Sequence, residues 1–244
     1  MTTGAAWADR IEASLKNVGS PERAVGEKRY LKSDLDFLGV RLPEIRRIAK
    51  EFLRERPELR RAELIELVEA LWNKPVFEQR MVAAILLEER VALLQARDAK
   101  LIERLLRESK TWALVDSLAP KVIGPLFERY ASLGSTLDRW SADDDFWIRR
   151  SALLALLVPL RRGDGDFERF ARYADAMLEE KEFFIRKAIG WVLRETSKKR
   201  PDLVFKWLSP RAHRASGVTM REAVRYLSDE QASALTVSYK TSNH

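Results

Sequence analysis

Apolar residues recur at three- and four-residue intervals through RAELIELVEALW, AKLIERLLRES and SALLALLVPL, and no stretch alternates convincingly with period two. That spacing predicts helix nearly everywhere, so the expected class is all-α with short connections. Proline should open helices at Ser20-Pro21-Glu22, Arg56-Pro57-Glu58, Lys74-Pro75 and Arg200-Pro201-Asp202, because its fixed φ suits the first helical position and no N–H is needed there. The leading segment MTTGAAWADRIEASLKNVG has the pattern of a short amphipathic helix and lacks the continuous apolar stretch of a secretion signal. No stretch rich in Pro, Gly or Ser is long enough to part domains, so residues 1–244 read as one domain.

The helices also repeat. Aligning VFEQRMVAAILLEE, DFWIRRSALLALLV and EFFIRKAIGWVLRE superposes Phe77, Phe146 and Phe183, each followed three residues later by an arginine: Arg80, Arg149 and Arg186. TWALVDSLAPKVIG joins the frame with Trp112 at the phenylalanine position, and the successive spacings are 35, 34 and 37 residues. A near-constant period of this size, filled by helices, marks a HEAT-like helical repeat solenoid whose units bury their apolar faces on one another. Such an array curves and presents a concave groove.

Four residues past the anchors stand Met81, Asp116, Arg150 and Lys187, with Trp191 one turn beyond the last. Residues four apart share a helix face, so Trp112 with Asp116, and Lys187 with Trp191, should project together. Units stacked in register would gather these side chains along the groove. The plainer reading makes the indoles core fillers, has Asp116 capping or pairing within its own repeat, and lets Arg150 or Lys187 bridge repeats through an acid such as Asp145.

Composition and charge narrow the chemistry. The chain has no cysteine, so it has no disulfide, thiolate nucleophile or cysteine-ligated metal. Its two histidines, His213 and His244, lie far along the chain, which argues against a zinc site or a Ser-His-Asp triad. Acid, base or charge-stabilising work then falls to Asp or Glu, assisted by Lys or Arg. SALLALLVPL, the longest apolar run, has ten residues, too few to span a bilayer. The reading is therefore a soluble, cytoplasmic protein. Lys plus Arg total 44 against 37 Asp plus Glu, a net charge of +7 that favours a polyanionic partner and makes the expected groove basic.

These residues meet a known family. RYLKSDLDFLGVRLPEIRR, TWALVDSLAPKVIG, FWIRRSALL and, most specifically, FFIRKAIGWVLRE resemble the AlkD-type DNA alkylation-repair glycosylases. The resemblance implies cleavage of the N-glycosidic bond of cationic N3- or N7-alkylated purines in double-stranded DNA. It implies no metal and no organic cofactor, and the protein is expected to act as a monomer. Matched motif to motif, it places the catalytic carboxylate on Asp116 and the indoles lining the deoxyribose on Trp112 and Trp191. A phosphate-contacting arginine falls on Arg150 and a DNA-facing tyrosine on Tyr30. Arg194 and Lys198 fall on further backbone contacts, and the repeat frame adds Lys187. This sequence departs from the family pattern at Thr111, Ala113, Leu42 and Val158. The rival expectation is a noncatalytic HEAT-repeat protein that binds damaged or branched DNA.

Overall fold

The computed structural model describes residues 3–242, so His244 lies outside the described residues. Among the described residues every regular element is a helix and there is no strand. The chain divides into two compact units, one ending at Leu118 and the other beginning at Ala119.

The first unit holds α1 (Thr3–Val18), α2 (Pro21–Leu31), α3 (Leu42–Arg54), α4 (Arg61–Trp72), α5 (Phe77–Glu89), α6 (Ala99–Glu108) and α7 (Trp112–Leu118). Its centre is α5, against which α1, α3, α4 and α7 pack. Every residue of α5 from Phe77 to Leu87 is buried, polar ones included. A helix with no solvated face is a core element, and the buried charges in it need partners.

Glu78 shows how one is found. Its carboxylate accepts the backbone N–H groups of Leu38 at 2.9 Å, Gly39 at 2.7 Å and Val40 at 3.2 Å. Burial pushes the Glu78 carboxyl above its ordinary range, and these amide donors oppose the shift. The same loop pairs with the start of α5 through Asp36 N–H to the Pro75 carbonyl and Phe77 N–H to the Asp36 carbonyl, both at 2.8 Å. It also reaches the start of α2, where Ser20 N–H donates to Leu38 O at 2.9 Å. Gly39 has φ +74°, and a Cβ there would stand 2.0 Å from the Ser20 carbonyl oxygen, so only glycine fits.

The second unit holds α8 (Gly124–Arg129), α9 (Gly134–Trp140), α10 (Phe146–Leu154), α11 (Leu157–Arg162), α12 (Phe167–Met177), α13 (Phe183–Ser197), α14 (Pro201–Leu208), α15 (Gly217–Ala223) and α16 (Asp229–Ser242). It begins with a π turn, Ala119–Ile123, where Pro120 has no N–H to return to an α-helical acceptor. Here α13 is central, packed by α10, α11, α14 and α15. Gly190 permits the approach of α15. A Cβ on it would lie 2.9 Å from Glu222 Cβ and 3.1 Å from Thr219 Cα, both on α15.

The repeat frame corresponds to helix starts: α5, α7, α10 and α13 begin at Phe77, Trp112, Phe146 and Phe183. The recurring arginines have a common function. Arg80, Arg149 and Arg186 each donate to a carbonyl six residues back, those of Lys74, Asp143 and Glu180. Arg80 also reaches Glu108 O at 2.6 Å, at the end of α6, and Arg149 clasps the Glu180 carboxylate at 3.0 and 2.9 Å. Each guanidinium thus closes the turn before its own helix, and the first two also tie in a later connection.

Proline behaves as expected at α2 and α14, both with Pro at the start; Ser20 caps α2 by accepting Arg23 N–H at 3.3 Å. Two other expectations shift. Pro57 follows α3, and α4 starts only at Arg61, where Arg60 N–H is met by the Glu63 carboxylate at 2.9 Å. Pro75 sits in the Asp36 pairing, and α5 starts two residues later. SALLALLVPL breaks at 155–156, because Pro159 cannot donate to the Ala155 carbonyl and its ring crowds it.

Replacing Glu78 by Gln puts an amide donor against backbone donors. We expect Glu78→Gln to lower the unfolding free energy by about 1–3 kcal/mol. Urea titration followed by circular dichroism checks this, and an unchanged midpoint would contradict the role given to the carboxylate.

Candidate nucleic-acid interface

Helix α7 is prepared by the residues before it. Lys110 takes the left-handed conformation at φ +54°, uncommon without glycine. Thr111 is buried, and its Oγ1 accepts Ala113 N–H at 3.4 Å, so this departure from the family pattern serves the helix start. The buried residues Leu114, Val115, Ser117 and Leu118 then leave Trp112, Ala113 and Asp116 on the half-buried side. Trp112 and Asp116, four apart, do share a face.

Tyr30 joins them from α2. Tyr30 is 71% exposed, and its ring meets Trp112 edge to face, with centroids 5.8 Å apart and planes at 85°. This contact fixes the plane of the indole. Lys32, immediately past α2, is the second non-glycine residue with positive φ, at +48°. Both left-handed residues therefore flank helices that carry candidate side chains, where strained backbone tends to collect.

In the second unit, the outer side of α13 reads Phe183, Lys187, Trp191, Arg194 and Lys198, spaced four, four, three and four residues apart, while Ile185, Ala188, Ile189, Val192 and Leu193 turn inward. Lys187 and Trp191 share this side, as the frame requires. Arg194 hydrogen-bonds Glu222 of α15, and Lys187 lies 4.0 Å from the same carboxylate. Glu195, 4% exposed, is ringed by cations: Lys198 Nζ at 2.9 Å, Arg161 Nε at 2.8 Å and Arg194 Nε at 3.3 Å. Burial alone would raise the Glu195 carboxyl; Lys198, Arg161 and Arg194 outweigh it and hold it below its ordinary range.

The positions four past the anchors are not all alike. Met81 and Arg150 are buried, at 4% and 2% exposure, whereas Asp116 is half-buried and Lys187 exposed. Arg150 donates from Nη1 to the Phe184 carbonyl, at the first turn of α13, and its guanidinium lies 5.8 Å from the Phe184 ring centroid. The expectation that these four share one solvent-facing row is corrected: α5 and α10 turn that position inward because their neighbouring helices cover it. Asp145 caps α10 by accepting Trp147 N–H at 2.8 Å. Of the other departures, Leu42 is exposed at the start of α3 and Val158 half-buried on α11. Glu195, Glu222, Arg161 and Tyr226 were not picked out by the sequence frame. Only Glu195 left a local trace, its three-residue spacing from Lys198.

Among the described residues no three His, Cys, Asp or Glu side chains gather as a metal site requires, and no helix is long and apolar enough to cross a membrane. The profile of the DNA alkylation repair enzyme family matches residues 11–227. The chain belongs to that family. A protein from Enterococcus faecalis described as a predicted DNA alkylation repair enzyme is 25% identical, with a TM-score of 0.77 over 86% of this chain and 97% of its own. AlkD2 from Streptococcus mutans shares the fold at 18% identity and TM-score 0.60, over 85% of this chain and 99% of that one. The smu.31 protein of Streptococcus mutans UA159 does so at 17% and 0.59, over 88% and 100%. The comparison with curated proteins yields no match. This DNA alkylation repair family member thus carries two aromatic and charged faces, one on α7 beside α2 and one on α13.

The lowered Glu195 carboxyl makes a stability prediction. Its charged form is favoured by folding, so its contribution is complete above the ordinary glutamate pKa of about 4.3 and is lost as pH falls through the folded value. Relative to Glu195→Gln, wild-type unfolding free energy should fall between pH 6 and pH 3, measured by denaturant titration at each pH. Parallel pH profiles for the two proteins would refute the linkage.

Proposed function

We propose that this protein is a monofunctional, metal-independent DNA glycosylase that hydrolyses the N-glycosidic bond of cationic N3- or N7-alkylated purines in duplex DNA. The observation that supports it most is the half-buried pairing of Trp112 and Asp116 on α7, with Tyr30 edge-on to the indole at 5.8 Å. Membership of the DNA alkylation repair enzyme family gives that pairing its context.

A sparse site suffices for this reaction. A purine alkylated at N3 or N7 is already cationic, so it departs without a general acid to protonate it. The transition state puts positive character on the sugar. A carboxylate about 4 Å away, at an effective dielectric of about 20, lowers its energy on the order of 4 kcal/mol. That corresponds to roughly a thousandfold in rate. Asp116 is proposed to supply this charge and to orient the attacking water. Indole faces from Trp112 and Trp191 are proposed to line the deoxyribose, each adding roughly 0.5–2 kcal/mol through the negative face of the ring. Tyr30, Lys187, Arg194 and Lys198 are proposed to hold the DNA backbone. Arg150, buried as it is, is proposed to serve that backbone by fixing the first turn of α13 through Phe184. The protein is proposed to act as a monomer in the cytoplasm.

The test is release of 7-methylguanine from methylated duplex DNA by wild type and by Asp116→Asn, in the presence of chelator, with binding recorded in parallel. We expect Asp116→Asn to lose about a thousandfold in single-turnover rate while retaining affinity. Salt-sensitive binding with no release from either protein would replace this reading by the noncatalytic DNA-binding one.

Neutral lesions lack the charged leaving group. Release of uracil by the purified protein should therefore be undetectable on the timescale of 7-methylguanine release, and efficient uracil excision would sink the mechanism.

A further inference from the structure

Helix α13 continues past Trp191 into a second group of side chains. Glu195 lies four residues beyond the indole and Lys198 seven. Arg161 arrives from α11 and shares the Glu195 carboxylate with Lys198, their nitrogens 2.8 and 2.9 Å from the same Oε2. Beyond Lys198 stands Tyr226, 52% exposed, with the Lys198 ammonium 5.0 Å from its ring centroid. Arg161 keeps 46% of its side chain accessible and Lys198 36%.

This differs from a scatter of solvated surface charges. One buried carboxylate holds two exposed cations side by side, drawn from two helices, and an exposed aromatic ring supports one of them. Counting Arg194 and Lys187 with them, four cations face the two carboxylates of Glu195 and Glu222, a surplus of two positive charges. Held cations lose less side-chain entropy when an anion docks. Exposed charges with a net surplus attract a polyanion and release its counterions.

We propose that Arg161 and Lys198, held by Glu195 and Tyr226, form a second phosphate-binding site on the strand contacted by Trp191. The inference rests on the glycosylase reading for the position of the damaged nucleotide. Seven residues of helix advance about 10.5 Å, and one DNA strand advances about 3.4 Å per nucleotide. With α13 laid along the duplex axis, the site meets a phosphate roughly three nucleotides from the one beside Trp191. Arg161 supplies a forked donor able to take two phosphate oxygens. Glu195 and Tyr226 are positioning residues, keeping the two cations extended and adjacent.

The test places single neutral methylphosphonates at each of the first five phosphates on either side of a 7-methylguanine in duplex DNA. Affinity is read by fluorescence anisotropy and excision by single-turnover rates at subsaturating protein. For wild type, a neutral linkage two to four nucleotides from the lesion on one side should weaken binding about three- to tenfold. For Arg161→Ala the same linkage should have a smaller effect, because only Lys198 remains to meet that phosphate, and the salt slope of binding should be shallower by about 0.9. Arg161→Lys should restore part of the response. Equal sensitivity of wild type and Arg161→Ala at every linkage overturns the second site. If wild type binds these duplexes and releases no base, the glycosylase reading fails, while the anisotropy comparison still decides whether Arg161 contacts a phosphate.

Discussion

Much of the first unit depends on one buried carboxylate. Glu78 has no access to solvent, and its ionised form is tolerable there only because backbone amides of residues 38–40 converge on it. Those amides belong to a loop that also receives Ser20 and the start of α5. The position of α2, which buries only Leu31, is therefore inherited from the loop at its two ends. Tyr30 stands on that thinly packed helix, so its contact with Trp112 traces back to a charge in the core.

In the second unit the order of dependence is reversed. The buried side of α13 is apolar as far as Leu193, while the outer side is organised by two acids, Glu195 of α13 itself and Glu222 of α15. Gly190 lets α15 approach closely enough for Glu222 to sit alongside both Lys187 and Arg194. A bulkier residue at 190 would move that carboxylate away from the cations without altering any of them. The charge pattern of this face is thus set by backbone distance as much as by the residues that bear charge.

How much of this was legible in the sequence varies with the range of the interaction. The repeat frame located four helix starts, because large aromatic anchors and a recurrent arginine are properties of contiguous residues. The same-side pairs Trp112–Asp116 and Lys187–Trp191 were legible for the same reason, since helical period is local. The burial of Arg150 and Met81 was not, because it is decided by which neighbouring helix covers that turn. Pro57 and Pro75 misled because proline also suits the extended segment before or after a helix, and only tertiary pairing distinguishes the cases. The grouping of Arg161, Glu195 and Tyr226 joins three separate segments and left almost no mark on spacing.

The arginines that reach six residues back bear on how the molecule opens. By closing its own preceding turn, each one makes the first turn of its helix and the connection before it a single cooperative piece. Arg80 extends that piece to the end of α6 at Glu108, and Arg149 extends it to Glu180 in the connection between α12 and α13. Fraying of a single anchor helix would strand a guanidinium and its carbonyls together, which local fluctuations at low free energy cannot sustain. The natural grain of slow amide exchange in this protein is then a helical pair, and the helices outside such ties, α2 above all, are where exchange should begin.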